Sequence, residues 1–192
     1  MQEHPLIELY VSIGDEQQNT QVEQKLSAID LDSVVLRTLQ AVGVTQQVML
    51  TLLVTDDNGI RDMNKQYRDQ DKPTDVLSFP LLEHPLVNAP DDQLWPPQKS
   101  EGGPAEQQEQ SNTAFITPPG MVTNLGDIIM SWPTVVRQAQ QTGHDALVEL
   151  LYLLSHGVLH LVGYDDQTEA GYRAMVGIQQ GVLHELGLKA NQ

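Results

Sequence analysis

The chain contains no cysteine, so disulfides and thiolate metal sites are excluded and nothing argues for an oxidising compartment. Basic residues are few: ten Lys and Arg stand against 26 Asp and Glu, a formal net charge of -16. Bulk charge of that size speaks to solubility rather than function, and it warns against inferring nucleic-acid binding from composition. No stretch approaches the roughly 20 apolar residues of a membrane span. The start, Met1-Gln2-Glu3-His4-Pro5, lacks the basic segment and apolar run of a signal peptide. The expectation is a cytoplasmic protein with neither a membrane nor DNA as partner. At 192 residues the chain predicts one domain with a buried core, and an apolar fraction of 40% suggests that a polar segment dilutes it.

Charge distribution says more than the total. Arg61, Lys65, Arg68 and Lys72 supply four of the ten basic residues, at spacings that place them on one helical face. A solvated face is the plain alternative to a phosphate-binding stripe. Elsewhere, Ile7, Leu9, Val11 and Ile13 alternate with polar residues as in a half-buried strand. Leu31, Val34, Val35, Leu39 and Val42 predict a helix over residues 31–42, capped by Asp30 and ended by Gly43. Val48 to Thr55 reads as a buried strand, Gly59 to Tyr67 as a helix, and Val76 to Phe79 and Leu125 to Met130 as two more strands. Prolines follow both of these last strands. Leu147, Leu150, Leu151, Leu154, Val158 and Leu161 form an apolar helical stripe with Asp145 at its start, and a final helix runs through Tyr172 to Leu186 with Gln179 as a polar member of its apolar face. The predicted order is β-α-β-α-β-β-α-α: an α+β domain with helices packed on a small mixed sheet.

Residues 83–122 hold seven of the eleven prolines, with six acidic side chains against one lysine. Such composition predicts a flexible acidic and proline-rich insertion between two hairpin strands, without catalytic content. A partner-binding segment around Leu94-Trp95-Pro96 is the alternative.

The most informative run is Ser155-His156-Gly157-Val158-Leu159-His160-Leu161-Val162-Gly163-Tyr164-Asp165-Asp166. Histidines four apart share a helix face and can hold one first-row metal ion. Gly163 suits a helix stop, after which the chain can bring Asp165 or Asp166 to the same ion. The pattern H-x-x-x-H-x-x-G-x-x-D has the spacing of the long zincin motif, with Gly157 in place of the catalytic glutamate and Asp166 in place of the last histidine. Two imidazoles and a carboxylate suit zinc, one per chain, with a coordination position left open. Asp166-Gln167-Thr168-Glu169 also fits the capping pattern of a final helix, so Asp166 has two readings here. Without a glutamate at 157 the protease mechanism is disfavoured. Arg68, entering a turn-rich loop, is the candidate to stabilise charge on a phosphoryl group.

Met63-Asn64-Lys65-Gln66-Tyr67-Arg68 followed by Lys72-Pro73-Thr74-Asp75-Val76-Leu77-Ser78-Phe79-Pro80 resembles the first signature of the YbeY endoribonuclease family. Leu125-Gly126-Asp127-Ile128-Ile129 resembles the segment after it, and His156 to Asp165 resembles the family's metal-binding signature. The resemblance spans about residues 48–188, interrupted by 83–122. It implies a zinc-dependent, single-strand-specific endoribonuclease acting on ribosomal RNA with the small ribosomal subunit, in maturation of the RNA 3′ end and in ribosome quality control. It implies metal ligation by His156 and His160 and a functional role for Arg68. Where the family has a third histidine, this chain has Asp166. Arg61, Lys65 and Lys72 become candidate RNA-binding residues. A non-catalytic ribosome-assembly factor with a structural zinc, and a metallopeptidase, are the competing readings.

Overall fold

Alternation builds the first edge of the sheet. Leu6–Ser12 forms strand β1 with every second residue exposed, whereas β2 (Val48–Thr55) buries both sides at its end. In the computed structural model, which describes residues 4–96 and 120–190, these strands are joined through α1 (Glu16–Ser27) and α2 (Leu31–Ala41). The chain continues through α3 (Asp57–Arg68), β3 (Val76–Pro80), β4 (Thr123–Ser131), α4 (Trp132–Thr142), α5 (Ala146–Val162) and α6 (Glu169–Glu185). The sheet order is β1-β2-β4-β3; β1, β2 and β4 run parallel, and β3 is antiparallel to β4. The fold is the expected α+β domain on one mixed sheet.

Two helices exceed the expected order. In α1 only Val22 and Leu26 are buried, too sparse a stripe to mark a helix by periodicity. At α4, Pro133 ends no structure: it occupies the first helical turn, where a missing N–H costs nothing.

Successive residues of β4 face opposite sides and divide the core. Ile128 joins the main cluster with α2, α5 and α6, while Ile129 packs with Leu77 and Ile60 beneath α3. Most of the buried side chains are aliphatic. Asp57, at the start of α3, accepts from Ser131 Oγ (2.5 Å), Thr134 Oγ1 (2.7 Å) and Arg137 (2.9 Å), tying α3 to the β4–α4 corner. Burial opposes its ionisation, but these donors prevail and hold its carboxyl below the usual carboxylate range.

Residues 81–96, the leading part of the segment between β3 and β4, lie back on the protein as a strap. Leu86 N–H donates to Val162 O (2.8 Å), Val87 is buried, and Leu94 forms an isolated bridge with Tyr164. The Leu94-Trp95 stretch is therefore anchored on its own chain, at the end of α5. Residues 97–119 of the expected insertion lie outside the described residues. No single helix among the described residues is long and apolar enough to cross a membrane.

Candidate metal centre

Helix α5 begins where Asp145 accepts from Leu147 N–H (2.7 Å) and ends at Gly163, whose φ of 135° a side chain would strain. Its apolar stripe is buried, which leaves His156 and His160 at the edge, with side chains 21% and 20% exposed. Their Nε2 atoms stand 3.0 Å apart. Each ring is oriented through its other nitrogen. His160 Nδ1–H donates to Tyr164 O at 2.9 Å, and His156 Nδ1–H faces Gln179 Oε1 at 3.4 Å. Gln179 is buried in α6, and its amide is set by donation from Nε2 to Tyr152 O (3.2 Å). Both Nε2 lone pairs are thereby left free toward the same point.

Asp166 completes the group. Its Oδ2 lies 3.6 Å from each Nε2, and the three ligand atoms lie within 4.8 Å of one another, so together they can hold a metal ion. Tetrahedral bonds of about 2.0–2.1 Å give ligand separations of roughly 3.3 Å, which this spacing matches. The capping alternative for Asp166 is removed, because Thr168 is the N-cap of α6 and accepts from Gly171 N–H at 3.0 Å. Asp165 shapes the turn instead: its carboxylate accepts from Gln167 N–H (3.1 Å) and its own N–H donates to Gln93 O (2.9 Å). The His160 ring beside it holds the Asp166 carboxyl down at about 2, against burial. His156 is shifted down by burial first and by His160 second, which favours the neutral, ligating ring.

Gly157 faces away from this group. A Cβ there would stand 2.8 Å from Ile128 Cδ1, so any side chain at 157 would force Ile128 or the helix to shift. A glutamate at 157 would enter the core, and the peptidase mechanism has no room for its base.

The metal group opens on a cleft of about 400 Å³ lined also by Arg68, Thr74, Asp75, Val76, Ser78, Pro80, Trp95, Asp165 and Gln167. Arg68, in the last turn of α3, donates to Ser78 O (3.0 Å) and lies over the Phe79 ring. The other basic residues of the stripe are not brought to the cleft. Arg61 and Lys65 pair with Asp71 at 2.7 and 3.6 Å, and Lys72 is exposed. Sequence reasoning missed Gln179 and Trp95 as parts of the site. The lone polar position on an apolar helix face was a usable signal for the first; the second was marked only as part of a candidate partner-binding segment, with nothing to tie it to the metal group.

A profile of the Endoribonuclease YbeY family matches residues 12–187. The chain belongs to the YbeY family. Relatives named Endoribonuclease YbeY are 34% identical over 178 residues in Desulforamulus reducens and 37% identical over 178 residues in Moorella thermoacetica. Both alignments cover 93% of this chain and 97% of the relative. One from Roseiflexus sp. is 36% identical over 156 residues, 81% of each chain. The solution structure of TM1509 from Thermotoga maritima aligns with a TM-score of 0.45 at 20% identity, covering 95% of this chain and 92% of that one. In this chain the Asp166 carboxylate faces the same point as the two imidazoles.

Proposed function

We propose that this chain is a zinc-dependent endoribonuclease of the cytoplasm that cleaves single-stranded ribosomal RNA, acting on the small-subunit RNA 3′ end and in ribosome quality control. The observation that carries the reading is the convergence of two free imidazole nitrogens and the Asp166 carboxylate beside Arg68 in one cleft, within a YbeY chain. Zinc, when bound, supplies Lewis-acid polarisation of a phosphoryl oxygen and activation of a water. The protein's own groups do the rest. Gln179 and the Tyr164 carbonyl keep the Nδ1 protons in place, so that the rings ligate without reorganising. Arg68 presents a planar fork to the charge that develops on the phosphate. Arg61, Lys65 and Lys72, exposed outside the cleft, are suited to phosphates further along the strand.

The test is purified protein incubated with single-stranded ribosomal RNA, with and without a chelator, alongside elemental analysis. About one zinc per chain and chelator-sensitive cleavage are expected. Zinc retained by His156→Ala/His160→Ala would remove the site. Stoichiometric zinc with no cleavage would leave a ribosome-assembly factor with a structural metal.

A further inference from the structure

We infer that Trp95 is a base-stacking wall of the metal cleft, holding an unpaired nucleobase of the RNA next to the phosphate being cut. The inference rests on the endoribonuclease reading and extends it to a substrate contact outside the family's motifs.

Trp95 reaches the site from the strap. Its indole N–H donates to His160 O at 2.8 Å and its backbone N–H to Gly163 O at 2.9 Å. Leu94, the residue before it, bridges Tyr164, whose carbonyl orients His160. The ring is thus pinned to the backbone of a candidate metal ligand by one hydrogen bond, and its own backbone is held at Gly163 by another. It has little rotamer freedom to lose when a ligand packs on it.

Its one polar atom is already satisfied, so the ring surface it leaves in the cleft is apolar and planar. Apart from Val76 and Pro80, the neighbouring walls are polar: Arg68, Thr74, Asp75 and Asp166 are charged or hydroxylic. A flat apolar face among groups suited to phosphate and metal matches a nucleotide, whose base stacks while its phosphate is bound by charge. Stacking tolerates every base, because each has a π face. It also requires the base to be free of its own neighbours, which a duplex does not allow. The other tryptophan, Trp132, packs against the core with Lys25 over its ring and does not line the cleft, which makes it a built-in control.

The experiment uses the full-length zinc-loaded protein and single-stranded RNA oligonucleotides carrying one abasic nucleotide at successive positions. In the wild type, one abasic position beside the cut should raise KM about tenfold with kcat little changed. In Trp95→Ala that penalty should vanish, because the partner ring is gone. Trp95→Phe should keep most of it despite losing the donor to His160 O. In a Trp132→Phe background, where Trp95 is the remaining tryptophan, single-stranded RNA should quench its emission and duplex RNA should not. The same abasic profile in wild type and Trp95→Ala, or emission indifferent to saturating RNA, would overturn the stacking role while continued cleavage left the endoribonuclease reading intact. If the wild type neither binds nor cleaves RNA, both fall. The fluorescence arm decides the matter even if Trp95→Ala does not fold.

Discussion

Asp166 has a shorter side chain than a histidine, and it reaches the two imidazoles because the backbone is brought toward them. The Asp165 N–H is held by Gln93 O, Thr168 Oγ1 donates to Asp92 O, and Gly171 packs so closely on Asp165 O that a Cβ there would collide with it. With Thr168 serving as the cap, Asp166 is free of a structural duty, and its substitutions become informative. Asp166→Asn should weaken zinc by more than about tenfold, since a neutral amide replaces an anionic ligand. It should hardly move the unfolding midpoint, whereas Thr168→Ala should cost about 1 kcal/mol and leave zinc in place. Competition with a chelating dye measures the first and urea unfolding the second; unchanged zinc affinity in Asp166→Asn would exclude the carboxylate as ligand. The acid limb of metal retention has a defined sign. The Asp166 carboxyl stays ionised down to about 2, and His156, with its pKa lowered from 6.5 by burial and by His160, resists protonation. In the metal-free protein, a lowered histidine pKa costs stability as pH falls below 6.5, because the unfolded ring takes up a proton that the folded ring refuses. A bound metal ion, which needs the neutral ring, should persist below about pH 6.5 and leave as His156 protonates, well before Asp166 does.

At the scale of elements, the site depends on how near α5 lies to the sheet. Gly157 sets that distance: it faces Ile128 on β4, with a hypothetical Cβ 2.8 Å from Cδ1 and 3.0 Å from Cγ2. Gly157→Ala should therefore destabilise the fold by about 1–3 kcal/mol through overpacking. Ile128→Val, which deletes Cδ1, should restore part of that loss in the double variant, a coupling that urea midpoints of the four proteins would reveal. Independent, additive losses would mean that the helix yields elsewhere. Much of this arrangement was legible in the sequence because each piece is local. The histidine spacing, the Gly163 stop, the Asp145 and Asp30 caps and the strand alternation all lie within a few residues of the feature they specify. What was not legible is non-local or weakly patterned. Helix α1 exposes nearly everything, and Pro133, noted only as following a strand, proved to start a helix. The strap reads as loop by composition, yet its amides find acceptors at the end of α5, far along the chain at Val162 and Gly163. The buried His144–Glu149 pair, 2.5 Å apart, had no sequence signature for the same reason: nothing about a histidine before a helix announces burial.

For the whole molecule, the net charge of -16 sets a difficulty for an RNA substrate, because the far field repels a polyanion. Attraction must then be local, and the basic face of α3 next to the cleft is where it is concentrated. Part of that face is occupied: Asp71 holds Arg61 at 2.7 Å and Lys65 at 3.6 Å, with the two basic side chains about half exposed or more (48% and 64%). Exposed pairs of this kind add little stability, so their meaning lies in how much positive charge they withhold from a ligand. Two or three phosphates neutralised on single-stranded RNA predict that log affinity falls with log salt at a slope of roughly -1.5 to -2. Lys65→Ala should flatten that slope, and Arg68→Lys should lower turnover while leaving it nearly unchanged, since lysine keeps the charge but loses the fork. Asp71→Asn should act in the opposite direction to Lys65→Ala. With the carboxylate neutralised, Arg61 and Lys65 are released to phosphate, affinity rises, and the slope steepens by roughly 0.7 for each further phosphate neutralised. Fluorescence anisotropy of a labelled single-stranded oligonucleotide across a salt series measures the wild type and all three variants. If Asp71→Asn leaves both affinity and slope where they were, the strand does not run along α3, and the phosphates are held by other groups.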